Sequence, residues 1–197
     1  MEPIVLASGS LRRQDFFKML KIPFKIMVPG IDETNTGNLD AKNLAIDISK
    51  RKLEKTMEIF QGKMPPWIFA ADTLVSLDEE VFGKSADRAG AMSTLRKLSG
   101  RTHEVWTACA LFNGRKKSID CRCCNTAVTF AEFTQEDLEW YINSGEWQGA
   151  AGSYKIQGLA SCFIKKIEGS YSSVVGLPLN LFYTMLLENG YQIHTKD

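Results

Sequence analysis

The chain has 197 residues, 44% of them hydrophobic and 24% charged, with a net charge of +1. That balance is ordinary for a globular protein and excludes disordered and fibrous classes, while the near-neutral charge predicts no general attraction to nucleic acid or an anionic membrane. No apolar run approaches the roughly 18 residues of a bilayer span, and no basic, hydrophobic leader precedes the first apolar segment, so the expectation is a cytoplasmic protein with no membrane partner.

Length favours one domain over residues 1–197, and the alternation of strand-like and helix-like segments argues for an α/β fold. IVLA (4–7) reads as a strand that runs into a polar turn, Ser8-Gly9-Ser10, and a helix carrying Phe16, Phe17 and Leu20 at helical spacing. FKIMV (24–28) is a second strand, followed by the loop PGIDETNTGN. A long amphipathic helix spans about Asp40 to Phe60. WIFAADTLVSL (67–77) is apolar on both faces, as expected of an interior strand. A loop and a helix closed by Gly100 follow, then two long strands, HEVWTACALFN and one reaching AVTFAEF, joined through NGRKK. TQEDLEWYINSG is a capped helix. The remainder holds the glycine-rich stretch GEWQGAAGSYKIQG, a strand around ASCFIKKI, the loop EGSYSSVVGLP, and a last helix between Pro178 and Gly190.

Two charges stand where charges are costly. On the long helix, Leu44, Ala45, Ile48, Leu53, Met57, Ile59 and Phe60 share an apolar arc, while Asp47, Lys50, Arg51, Glu54, Lys55 and Glu58 share the opposite one. Lys52 falls about 80° from Leu44, inside the apolar arc, so it either snorkels to an edge or reaches a buried anion. Asp72 interrupts the most apolar strand, where it is either half of a structural ion pair or a functional acid lining a site. Asp32 and Glu33 lie in a loop just after a strand, a position that suits either solvated surface or the rim of an α/β site. Lys84 follows a glycine and precedes a helix.

Taken together, two arginines (Arg12, Arg13) and two lysines (Lys52, Lys84) face three carboxylates, with Ser8, Ser10 and Thr73 supplying hydroxyls. That mixture suits a polyphosphate bound with a divalent cation: cations and amides hold phosphate oxygens, and the acids take a hard cation and activate water. For Ser8, Ser10, Arg12 and Arg13 the alternative is a serine-capped helix with solvated arginines. Five cysteines form no disulfide-like framework. Cys121, Cys123 and Cys124 are clustered, but only Cys109, Cys162 and two histidines remain as further ligands, so structural cysteine is the expectation.

The motifs LASGSLRR, IDE, SKRKLEK, FAADTLV, VFGKS, LSGRTHEVWTA, AAGSYKIQG and SYSSVVGLPL follow one another in an order and spacing that resembles the Maf family of nucleoside triphosphate pyrophosphatases over almost the whole chain. The resemblance implies an elongated, mixed twisted sheet flanked by helices, with two lobes around a deep cleft, as in Maf and ITPase-like proteins, commonly as a homodimer. It implies hydrolysis of a nucleoside triphosphate to monophosphate and pyrophosphate with Mg²⁺ or Mn²⁺. By position, Asp72 matches the family's proton acceptor and Glu33 the polar lining of the cleft, and these two acids are the ones expected to hold the cation. Lys52 and Lys84 match positions in the polar lining of the cleft and are expected to act in catalysis, and Arg12, Thr73 and Gln157 match positions tied to substrate choice. Ser8, Ser10 and Arg13 match further substrate-contacting positions. Gln157 within IQG is similar to the dTTP/UTP branch, while AGSYK is similar to AGSFK of the 7-methyl-GTP branch. A nucleotide-sensing regulator of septum formation without efficient turnover is the alternative from another class. Leu11 and Ser85 stand where the pattern has proline, and Ala150 where many members carry lysine, which removes one cationic contact.

Overall fold

The computed structural model describes residues 1–35, 37–60 and 62–194; Thr36 of the acidic loop lies outside the described residues. In chain order the elements are β1 (Ile4–Leu6), α1 (Leu11–Met19), β2 (Phe24–Ile26), α2 (Ala41–Ile59), β3 (Trp67–Leu77), β4 (Glu80–Phe82) and α3 (Arg88–Leu98). These are followed by β5 (Thr102–Asn113), β6 (Ser118–Phe130), α4 (Gln135–Asn143), a 3₁₀ turn (Leu159–Phe163), β7 (Ile164–Glu168), α5 (Tyr171–Val175) and α6 (Leu179–Asn189). The strands form one open sheet in the order β2-β1-β3-β5-β6-β7, with β4 paired to β3. β1 runs parallel to β2 and β3, whereas β4 is antiparallel to β3 and β7 to β6, so the sheet is mixed, as the sequence predicts.

β3 is interior, and of its residues only Thr73 is not buried. Alternation along β1 and β3 sends their side chains to two cores. Leu6, Phe69 and Ala71 pack with Phe17 of α1 and with Phe182 and Met185 of α6. Val5, Ala7, Ile68 and Ala70 pack with Leu53 of α2. Removing a ring such as Phe17, fully buried against Phe69 and Phe182, costs about 3–5 kcal/mol by lost burial and cavity formation.

Helix ends follow their local chemistry. Asp40 accepts from the Asn43 amide and Asp87 from the Gly90 amide, Thr134 and Asp137 form a reciprocal capping box, and Gly190 ends α6 at φ 87°. Four local readings shift. β2 stops at Ile26 rather than Val28, and β6 ends at Phe130, before AEF. Leu159–Phe163 coils into a 3₁₀ turn so that the strand begins only at Ile164, and Tyr171–Val175 is a short helix within the expected loop. β4 was not legible as a strand; three residues fold back on β3 through Asp78, at φ 55°, and pair Leu77 with Glu80.

The chain divides into two compact units, Met1–Asp72 with Thr107–Cys124 and Gly176–Asp197, and Thr73–Trp106 with Asn125–Val175.

Candidate active site

In the first unit the chain leaves β1 through Ala7 into Ser8, which is buried. Ser8 Oγ accepts from the Ser10 amide at 3.2 Å and from Arg13 Nη1 at 3.1 Å. Arg13 Nε donates to the Gly176 carbonyl at 2.8 Å, so a buried guanidinium is held from two sides at the start of α1. Ser10 occupies the N-cap of α1, yet its side chain makes no capping hydrogen bond. Burial pulls down the pKa of Arg13, opposed by Asp72, Cys109 and Glu33. Arg12, half-buried beside it, is pulled down by burial and by Arg13.

Lys52 is 8% exposed and Asp72 is 5% exposed, which rules out snorkelling to solvent. Lys52 Nζ donates to Asp72 Oδ1 at 2.6 Å and lies 2.7 Å from Glu33 Oε1. The lysine on the apolar arc of α2 therefore reaches an anion, and the acid that interrupts β3 is its partner. Asp72 has its pKa raised, first by burial and further by Glu33, while the charge and hydrogen bond of Lys52 and the charge of Arg13 act the other way. Burial wins because the strand withholds water from the carboxylate.

Glu33 is placed by contacts that sequence reasoning missed. Asp32 Oδ1 accepts from the Thr34 amide at 2.9 Å and from Thr34 Oγ1 at 2.6 Å, turning the loop. Arg51 donates to the Asp32 carbonyl and, at 2.7 Å, to Asp47. Arg51 reads as a solvated helix residue in sequence; its position next to Lys52 is the only signal, and that signal does not name the loop.

In the second unit Thr73 follows Asp72 on β3, and Lys84 is exposed. Lys84 forms an antiparallel bridge with Ala151, the Gly152 amide donates to the Gly83 carbonyl at 3.0 Å, and the hydroxyls of Ser85 and Ser153 lie 2.6 Å apart. The VFGKS loop is thus fastened to AAGS, and Ser85, where the family pattern has proline, is engaged in the fastening. Gly152 has φ +63°, and a Cβ there would lie 2.7 Å from Val75 Cγ2, so this joint requires glycine. Gln157 is exposed, whereas Ala150 is 2% exposed. His103, absent from the sequence-based candidates, is buried with Nε2 2.8 Å from Tyr154 Oη. Trp147 is buried and donates to the Ile142 carbonyl at 3.2 Å, which places it in the core.

Among the described residues no three His, Cys, Asp or Glu side chains converge as ligands for a metal ion, the cysteine cluster of β6 included. Asp72 and Glu33 do converge on one cation, the ammonium of Lys52. Two carboxylates meeting at one point of positive charge suit Mg²⁺ or Mn²⁺, since such ions take one or two protein carboxylates and draw their other ligands from substrate phosphates and water.

An open mixed sheet with a buried carboxylate–ammonium pair beside a buried guanidinium defines an α/β protein with a charged centre set into its core. The chain belongs to the Maf family: the family model described as Maf-like protein matches residues 3–189. It is 39% identical over 195 residues to the dTTP/UTP pyrophosphatase of Symbiobacterium thermophilum, covering 99% of this chain and 98% of that one. It is 38% identical over 193 residues to the dTTP/UTP pyrophosphatase of Pelotomaculum thermopropionicum, covering 98% and 100%. Among solved structures, the Staphylococcus aureus Ham1 protein aligns over 95% of this chain and 99% of its own with TM-score 0.48 and 14% identity, a likeness too slight to argue from.

Proposed function

We propose that this chain is a nucleoside triphosphate pyrophosphatase that hydrolyses dTTP and UTP to the nucleoside monophosphate and pyrophosphate, as one catalytic domain over residues 1–197. The observation that carries the reading is Asp72: an acid with a burial-raised pKa, held 2.6 Å from a buried lysine inside an apolar strand. A carboxylate whose pKa burial raises is a stronger proton acceptor than a solvated one, which suits the role of general base. The relatives named as dTTP/UTP pyrophosphatases match over nearly their full length and support the substrate choice.

Asp72 orients a water and accepts its proton as the water oxygen bonds to the α-phosphorus and the bond to the β-phosphate oxygen breaks, releasing pyrophosphate. Lys52 keeps the Asp72 carboxylate oriented and, with Arg12, Arg13 and Lys84, offsets charge on the phosphate oxygens. Ser8 and Ser10 add hydroxyl and backbone donors at the start of α1, and Thr73 and Gln157 contribute to recognition of the nucleoside. A divalent cation, Mg²⁺ or Mn²⁺, would be held by Asp72 and Glu33. When bound it supplies charge neutralisation at the phosphates. No covalent intermediate is required.

The reading extends to a cytoplasmic homodimer, the family's link to septum formation included, without nucleic-acid or membrane partners. No helix among the described residues is long and apolar enough to cross a membrane. The test is product analysis with Mg²⁺ or Mn²⁺ over dTTP, UTP, CTP, ATP, GTP and 7-methyl-GTP, separating monophosphate plus pyrophosphate from diphosphate plus phosphate. Monophosphate formed first from dTTP and UTP supports the proposal. Preference for 7-methyl-GTP moves the chain to that branch, and binding without turnover makes it a nucleotide sensor.

A further inference from the structure

Gln157 sits on a turn fastened by residues of the second unit. The Gly158 amide donates to the Lys155 carbonyl at 3.0 Å, closing a four-residue turn with Ile156 and Gln157 at its centre. Ile156 is 3% exposed and anchors the turn inward, leaving Gln157 outward. On the entering side the Lys155 amide donates to Tyr141 Oη at 3.2 Å, and Tyr154 Oη pairs with His103. On the leaving side Glu146 Oε2 accepts from the amide of Leu159, the residue that follows the turn, at 2.8 Å. Gly158 lets it come so close, since a Cβ built there would overlap Glu146 Oε2. The carboxylate fills the space that a side chain at 158 would need.

We propose that Glu146 is a positioning residue for base selectivity: its carboxylate, seated against Gly158, fixes the turn that presents Gln157 to the pyrimidine edge. The inference rests on the dTTP/UTP reading above. A hydrogen-bonding site discriminates between bases only while its donor and acceptor stay in register, so loosening the turn relaxes selectivity before it slows phosphoryl chemistry. Glutamine at 146 keeps the acceptor oxygen and holds the turn; alanine removes it. Gly158→Ala reaches the same contact from the other side by displacing the carboxylate.

The experiment compares kcat and KM for dTTP and CTP in the wild-type protein, Glu146→Ala, Glu146→Gln, Gly158→Ala, Gln157→Ala and the Glu146→Ala/Gln157→Ala double variant, alongside thermal melts. Expected is a fall of about tenfold in the dTTP:CTP ratio of kcat/KM for Glu146→Ala and Gly158→Ala, through KM for dTTP, with kcat within about twofold. Glu146→Gln keeps the ratio within about threefold of wild type, and the double variant is no less selective than Gln157→Ala, because both act through one group. Equal loss on both nucleotides in Glu146→Ala, a lower melting temperature with an unchanged ratio, or additive loss in the double variant overturns the role of Glu146. A wild-type protein without preference for dTTP over CTP overturns the substrate reading itself, a result read before any variant is made.

Discussion

Lys52 Nζ lies 2.6 Å from Asp72 Oδ1 and 2.7 Å from Glu33 Oε1, so one ammonium ties a buried carboxylate to one on an exposed loop. The pair is a poor stability device, because desolvating both charges offsets much of their attraction. A charge set into the most apolar strand is accounted for by the chemistry proposed for Asp72 rather than by a contribution to folding.

Asp72→Asn preserves shape and removes the carboxylate proposed as proton acceptor. Turnover of dTTP is expected to fall by about a hundred- to ten-thousand-fold while nucleotide affinity stays within a few-fold. Steady-state kinetics with calorimetric binding check this, and an active asparagine variant would remove Asp72 from the mechanism.

Lys52→Ala leaves Asp72 buried without its closest counter-charge and is expected to destabilise the protein by about 3 kcal/mol at neutral pH. The loss should shrink in acid, where the orphaned carboxyl takes a proton. Lys52→Met/Asp72→Asn, with neither charge buried, should be more stable than Lys52→Ala alone. Urea denaturation at two pH values decides it.

The raised pKa of Asp72 also has a direction in pH. The folded protein holds this proton more tightly than the unfolded chain, so the stability contributed by Asp72 is full below its ordinary value of 3.8 and is lost as pH rises through the folded value. Activity is expected to run the opposite way, since Asp72 can serve in the proposed role of base only when ionised. The acid limb of the kcat/KM profile is therefore expected above the usual aspartate range, and a limb at or below 3.8 would contradict the assigned role.

His103 titrates in the other sense. Burial lowers its pKa to about 4, and its Nδ1 is buried with no hydrogen-bond partner among the described residues. The unfolded chain then binds the proton more readily, so stability present above pH 6.5 is lost as pH falls towards 4, by about 3 kcal/mol in all. His103→Phe should remove that slope while leaving Tyr154 Oη unpaired, at a pH-independent cost of about 1–3 kcal/mol. Denaturation midpoints between pH 4 and 7 distinguish the two profiles.

The sequence by itself determined the elements whose signals are local: the long strand 67–77, the amphipathic α2 with Asp40 at its cap, the capping box at Thr134, and the stop at Gly190. It also exposed Lys52 and Asp72 as misplaced charges, because the cost of burying a charge is legible wherever periodicity shows which face is buried. Only the tertiary structure decided which partners those charges take. Lys52 chooses Asp72 and Glu33, Arg51 reaches from the polar arc to the Asp32 carbonyl, and Glu146 crosses to the Leu159 amide. The coiling of Leu159–Phe163 and the fold-back of β4 were decided there too. Each such choice depends on distances between segments far apart in the chain, and local periodicity records which face a side chain occupies but not what stands opposite it.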